Sequence, residues 1–235
     1  QIMIEFDDLN NFVEQMTSKA ISDYKNLKEF AENASHELQT PLSIMKGKLE
    51  LLTETDLSAE QYQFVEDSQR SIKKLSRLSE SLALLTKIEN HEFTDKEEVN
   101  LSELIKESTQ SFDEFITLNG LTVETDVKDN VLVQMHPVLA DILWTNLFQN
   151  AIKHNIKEGN IDISLNNQRL RISNTGDPLS STPEELFRRF KKDNVDSNSI
   201  GLGLAIIKRI ADQYHYTISY TFEDGWHTVM IDFRN

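Results

Sequence analysis

The sequence predicts two domains of different class. An all-α helical hairpin, completed into a four-helix bundle by dimerisation, is followed by an α+β sandwich with helices on one face of a mixed sheet. Three observations predict this. Apolar or small residues recur at steps of 3 or 4 from Phe6 through Leu9, Val13, Met16, Ala20, Tyr24, Leu27, Ala31, Ala34, Leu38, Leu42, Met45 and Leu49 to Leu52, one buried stripe on a long helix. A polar break at residues 53–57 precedes a second helical stripe. After Asn90 the pattern changes to short alternating runs separated by turn residues.

The long helix needs partners along its whole length, since one narrow stripe cannot be buried alone. Ser58-Ala59-Glu60-Gln61 reads as a capping box that opens the second helix, which carries Val65, Ile72, Leu75, Leu78, Leu82, Leu85 and Ile88. Two helices joined by a short turn form an antiparallel hairpin, and two hairpins form a four-helix bundle with a proper core. The stripe therefore predicts a homodimer. Its steps run 4-4 at Met16-Ala20-Tyr24 and at Ala34-Leu38-Leu42, insertions that locally unwind a coiled coil.

The segment HEFTDKEEVN is charged, lacks apolar periodicity and reads as a linker. Asn100 and Glu103 cap a helix expected to run to about Thr117. LTVETDV and VLVQM are strand-like, separated by Asp129-Asn130. Pro137 suits the first turn of a helix reaching about His154. IDISL and LRISN follow around Asn166-Asn167. A polar stretch over residues 177–199 gives way to a Gly-Leu-Gly turn, a helix to about Tyr214, and two strands joined at Asp224-Gly225.

The chain has 235 residues, long for one compact domain and comfortable for two. Its formal net charge of -15 argues against nucleic acid as the main partner. Without cysteine there are no disulfides, zinc-thiolate sites or thiol chemistry. No apolar run approaches the ~20 residues that span a bilayer. The sequence opens inside a helical pattern with no start methionine, so it is expected to be a piece of something longer.

His36 lies in FAENASHELQTPLSIM, two residues from Ala34 and from Leu38, so it is expected to point away from the seam. A solvated surface histidine is the plain reading of that position. Its neighbours supply a chemical one. Glu37 follows it, Thr40 sits one turn on, and Pro41 removes a backbone donor. Phosphoryl transfer to imidazole needs an outward neutral nitrogen and benefits from a carboxylate that orients the ring.

Asn146, Asn150 and Lys153 share one face of a helix at spacings of 4 and 3. That face is either solvated or functional, an Asn oxygen reaching Mg²⁺ while Lys153 contacts phosphate. Ser173-Asn174-Thr175-Gly176 ends a strand; it is either an ordinary Asn-x-Gly turn or a place where Asn accepts a hydrogen bond from an exocyclic amine. Gly201-Leu202-Gly203-Leu204 opens a helix, where free backbone amides favour anions.

SHELQTPL closely resembles the H box of the sensor histidine kinases of two-component systems. The resemblance implies His36 as phosphoacceptor, Glu37 assisting autophosphorylation and Thr40 supporting phosphatase activity. Gln39 stands where the family usually has Arg. The later motifs resemble, in order, the N, G1 and G2 boxes of that family's ATP-binding domain, whose Bergerat fold is shared with gyrase-type ATPases. LFRRF, with Phe187 and Phe190, resembles the F box. By similarity Asn150 is the Mg²⁺ ligand, Asn146 and Lys153 lie beside the phosphates, Asn174 and Gly176 meet the base, and Gly201, Leu202, Gly203 and Leu204 cradle phosphate under a lid over residues 177–199. The usual Asp of the G1 box is Asn174 here, and His154 replaces a commoner Tyr.

The resemblance further implies an input helix over residues 1–18, a dimerisation and phosphotransfer domain over 19–92 and a catalytic ATP-binding domain over 97–235. It implies ATP and Mg²⁺, a homodimer and a response-regulator receiver domain as partner. It also implies placement as the cytoplasmic portion of a bacterial inner-membrane protein anchored through a preceding sensor region. The other function weighed is a non-catalytic dimeric scaffold that binds a response regulator without turnover, which Asn174 favours.

Overall fold

Helix α1 (Ile2–Thr53) is one continuous helix of 52 residues with Pro41 inside it. Pro41 cannot donate to the carbonyl one turn back, so the ladder lacks one rung there. Helix α2 (Ala59–Glu89) starts at the expected box, in which the Ser58 amide donates to Gln61 Oε1 at 2.9 Å and the Gln61 amide to Ser58 Oγ at 3.2 Å. Such a cap stabilises a helix by about 1 kcal/mol. The computed structural model describes residues 2–179, 181–188 and 200–234, and the side chains of residues 2–11, 24–32, 36 and 184 lie outside that description. The side chains at stripe positions Phe6, Leu9, Tyr24, Leu27 and Ala31 therefore fall outside the description, as does the His36 side chain.

The chain divides into two compact units, Gln1–Thr86 and Lys87–Asn235. In the first, the hairpin seam runs at heptad spacing. Ser35 and Leu42 of α1 are buried, as are Val65, Ile72, Ser79 and Thr86 of α2. Ser79 Oγ donates to the Ser35 carbonyl at 2.8 Å across the seam. Other stripe positions among the described side chains are uncovered. Leu38, Met45 and Leu52, again seven apart, are exposed, with Leu38 at 53%, and so is Leu75 of α2. The single stripe read from the sequence is thus two adjacent rows, one closing the hairpin and one facing outward.

In the second unit, strand β1 (Glu97–Asn100) occupies the end of the segment expected to be a linker and pairs antiparallel with β3 (Leu132–Met135). Its charged residues hid it from periodicity. Helix α3 (Leu101–Gln110) is capped by Asn100, whose side chain accepts from Ser102 at 3.1 Å and Glu103 at 3.4 Å. The helix expected to reach Thr117 breaks instead, and α4 (Asp113–Leu118) follows. Thr109 Oγ1 and Ser111 Oγ donate to the Ile105 and Ser108 carbonyls at 2.6 Å each, local bonds that compete with continued helix.

The main sheet has strand order β2-β4-β5-β7-β6, comprising β2 (Thr122–Val127), β4 (Asn160–Leu165), β5 (Arg169–Thr175), β6 (Thr217–Glu223) and β7 (Trp226–Asp232). β2 and β4 are parallel and the other pairings antiparallel. The two strand-like runs flanking Asp129-Asn130 do not form a hairpin; β2 joins the large sheet and β3 the small one. Helices α5 (Pro137–Lys153) and α7 (Gly203–Gln213) cover one face; α6 (Pro183–Leu186) is a single short turn. The core consists of Ile161, Ile163, Leu165, Leu170, Ile172, Val229 and Ile231 from the sheet with Leu139, Leu143, Leu147, Phe148, Ile206, Ile207 and Ile210 from the helices. Alternation along β4, β5 and β7 puts these residues on the helix side.

The chain ahead of β1 is held on α7, where Arg209 Nη2 pairs with Glu89 Oε1 at 2.8 Å and Gln213 Nε2 donates to the Phe93 carbonyl at 3.1 Å. At the far end of the sheet Arg234 and Arg169 bond the Asp232 carboxylate at 2.7 and 3.3 Å, and the Arg234 bonds above all hold its pKa well below the usual carboxylate range. Among the described residues no helix is long and apolar enough to cross a membrane.

Candidate functional site

The site is built where α7 begins against the polar face of α5. His136 caps α5, its Nδ1 accepting from the Val138 amide at 3.2 Å, and Pro137 starts the first turn. Leu139, Leu143, Trp144, Leu147, Phe148 and Ala151 turn inward to the core. That phase leaves Asn146 and Asn150 half-buried at the flank of this inward face and Lys153 exposed in the last turn. Asn146 Nδ2 donates to the Ile142 carbonyl at 2.8 Å, which turns its oxygen outward.

The chain arrives at α7 through Gly201, whose φ of +76° suits glycine and few other residues. Leu202 is buried and anchors the turn, and Leu204 is half-buried. Gly203 opens the helix against the two asparagines. A Cβ there would stand 3.2 Å from Asn146 Oδ1 and 3.4 Å from both atoms of the Asn150 amide. The first helical bond is from the Ile206 amide to the Leu202 carbonyl at 2.9 Å, and α7 has no side-chain cap. Among the described residues no side chain caps the preceding amides, which lie at the positive end of the helix dipole where Gly203 approaches the two asparagines. Hard oxygen donors beside uncapped backbone amides suit a metal-bound polyphosphate, the oxygens for Mg²⁺ and the amides for the anion. Among the described residues no group of three His, Asp or Glu could hold a metal alone, so substrate oxygens would have to complete the shell.

The end of β5 forms the second wall. Asn174 is 7% exposed, and its Nδ2 donates to the carbonyls of His154 at 3.3 Å and Thr175 at 2.8 Å. This explains why Asn serves here: a carboxylate would face two carbonyl oxygens with nothing to donate. The amide oxygen is turned away from those carbonyls. A Cβ at Gly176 would stand 2.5 Å from His227 Nε2 and 2.9 Å from the His154 carbonyl, so only glycine fits. Behind the turn, Thr175 Oγ1 donates to Asn155 Oδ1 at 2.6 Å and accepts from the Asn160 amide at 2.8 Å. Phe187, just past α6, lies edge-on to Tyr220 at 6.4 Å between ring centroids. Phe190 lies outside the described residues.

Asn146, Asn150, Asn174, Gly176, Phe187, Gly201, Gly203 and Lys153 all belong to the second unit; Glu37 and Thr40, both exposed, belong to the first, with His36 between Ser35 and Glu37 on α1. Sequence reasoning missed Thr175, Tyr220 and His227. The signal for His227 was available: it occupies an inward position of β7 in register with Asn174, on the same side as Val229 and Ile231, where apolar residues belong.

A family model described as His Kinase A (phospho-acceptor) domain matches residues 26–91, and one described as Histidine kinase-, DNA gyrase B-, and HSP90-like ATPase matches residues 136–234. The chain is 35% identical over 209 residues to the Heme sensor protein HssS of Staphylococcus aureus (strain Newman), covering 85% of this chain and 45% of that protein. It thus spans about half the length of the curated relatives it matches. Among solved structures, full-length ShkA in complex with AMPPNP superposes with a TM-score of 0.66 at 20% identity, over 87% of this chain and 45% of that one. The Acinetobacter baumannii histidine kinase AdeS gives 0.59 at 22% identity, over 84% and 96%. At these identities the structures show the shared fold. With both domain families matched in order on one polypeptide, the chain belongs to the two-component sensor histidine kinases.

Proposed function

We propose that this chain is the cytoplasmic catalytic core of a membrane-anchored sensor kinase, with an input helix over residues 1–18, a dimerisation and phosphotransfer domain over 19–92 and a catalytic domain over 97–235. It phosphorylates its own His36 from ATP, passes the phosphoryl group to an aspartate of a response-regulator receiver domain, and dephosphorylates that regulator. The observation that carries the reading is the meeting of Gly203 with the Asn146 and Asn150 amides, which sets the uncapped start of α7 beside hard oxygen donors. Binding of AMPPNP by ShkA, which shares the fold, supports ATP as the ligand.

In this reading Asn150, with Asn146 beside it, holds Mg²⁺, which neutralises charge on the phosphates when bound. Lys153 and the amides of residues 203–205 hold the phosphate oxygens, and Asn174 Oδ1 accepts from the amino group of the base. A neutral nitrogen of His36 attacks the γ-phosphorus in line; the bond to the β-phosphate oxygen breaks and ADP leaves. Glu37 orients the other ring nitrogen and takes up its proton. Thr40 positions water for hydrolysis of the regulator's acyl phosphate, which releases the free aspartate and inorganic phosphate. Such catalysis is mostly positioning and charge neutralisation.

The test is incubation with γ-labelled ATP: label should appear on the chain, be lost in acid and survive alkali. A chain that binds ATP and never labels would instead be the non-catalytic scaffold. Gly203→Ala should weaken ATP binding about tenfold, because its methyl intrudes between α7 and the asparagine face. Titration with a fluorescent nucleotide measures it, and unchanged affinity would move the phosphates elsewhere.

The homodimer follows from the uncovered row Leu38, Met45 and Leu52, apolar and exposed along α1. Sedimentation should give a dimer for the whole chain and a monomer for residues 87–235. A dimeric second unit would relocate the interface.

A further inference from the structure

We propose that His227 is a positioning residue for the base-binding turn of residues 174–177, acting through two hydrogen bonds that fix its tautomer. The proposal rests on the reading of this site as an ATP site. His227, the second residue of β7, lies on the sheet's helix-side face, 5% exposed, opposite Asn174 in the β5–β7 ladder. Its Nε2 lies 2.9 Å from the Asp177 carbonyl and its Nδ1 3.0 Å from the Tyr220 hydroxyl. A carbonyl only accepts, so Nε2 carries the proton and donates. In the neutral ring Nδ1 then accepts, and the Tyr220 hydroxyl is the donor.

Asp177 is the residue at which the chain leaves the sheet after Gly176, and the Gly176 amide is bound to the Gly225 carbonyl at 3.0 Å. With His227 on the carbonyl of the next residue, the turn is held at two successive residues by β7 and by Gly225 just ahead of it. The ring also fills the space a Gly176 side chain would take. Phe222 and Tyr220 flank the imidazole at 4.6 and 6.0 Å between centroids and exclude water from it. In a water-poor setting each bond resists replacement by solvent. The Asn174 side chain hangs from this same turn by its bond to the Thr175 carbonyl. Displacing the Asp177 carbonyl would therefore shift the Asn174 oxygen relative to the base, without touching the α5–α7 end where the phosphates sit.

The effect should be confined to nucleotide affinity. In the 235-residue chain, His227→Phe keeps an aromatic ring and loses both nitrogens. His227→Gln loses the ring and keeps a donor at the position of Nε2. For autophosphorylation, His227→Phe should raise KM for ATP about tenfold with kcat within about twofold, and His227→Gln should stay within about threefold of wild type in KM. A packing role alone predicts the opposite order, with Gln the worse. Tyr220→Phe, which removes one hydroxyl and leaves the packing, should raise KM by a smaller factor and keeps the test usable if His227→Phe does not fold. An unchanged KM in His227→Phe or in Tyr220→Phe, or a Gln variant worse than Phe, overturns the proposal. A wild-type chain that binds no fluorescent ATP overturns it together with the kinase reading, whereas wild-type binding with an indifferent His227 overturns this inference alone.

Discussion

His36→Gln is expected to take up no acid-labile phosphate from ATP, while nucleotide affinity and dimerisation stay at their wild-type values. The imidazole is the only group in SHELQTPL whose neutral form offers a nitrogen lone pair to phosphorus; an amide nitrogen has given its pair to the carbonyl. Glutamine is a good helix former of similar reach, so the substitution leaves α1 intact. The helix phase around the site is held independently of residue 36, by the Ser79 Oγ bond to the Ser35 carbonyl and by burial of Leu42 one heptad on. His91 also precedes a Glu, but none of the other histidines has Thr-Pro four and five residues further on. Label stoichiometry after alkaline and acid washes measures the outcome, and retention of near-wild-type label would assign the acceptor to another residue.

Asn150→Ala should slow autophosphorylation at least ~10²-fold, the usual cost of removing one well-placed electrostatic contact in phosphoryl transfer. Asn150→Asp should be as slow, because it sets a negative charge beside phosphate oxygens. Neither variant should melt much earlier. Asn150 is half-buried, outside the fully buried set on α5 that includes Leu147 and Ala151, and its backbone carbonyl still accepts from the His154 amide at 2.9 Å. Initial rates at several Mg²⁺ concentrations, alongside a melting curve, separate the two effects. An unchanged rate would leave the Asn146–Asn150 face merely solvated and return the scaffold reading to the front.

Much of this was legible in the residues because it is local. The Ser58–Gln61 box, the Asn100 cap, Pro137 at the start of α5 and the turn at Asp224-Gly225 each rest on a side chain and a backbone a few residues apart, and each stands as expected. The errors have equally specific causes. Strand β1 was hidden by its charges, since a short edge strand can be polar on both faces. The break after Gln110 came from hydroxyls bonding carbonyls, which composition alone does not announce. β2 and β3 sit beside a good turn pair, yet they part because β2 pairs in parallel with β4.

The sequence by itself determined the two-domain order, the helix and most strand spans, and which groups are candidates for the site: an imidazole beside a carboxylate, amides on one helix face, glycines at a helix start. Tertiary structure alone decided which row of the stripe closes the hairpin and which stays exposed, that Gly203 meets Asn146 and Asn150, and that His227 reaches the turn after Asn174. The physical reason is that periodicity reports that a face exists and says nothing of what covers it. Burial, register and the meeting of distant segments depend on non-local pairing, which a one-residue slip would reverse.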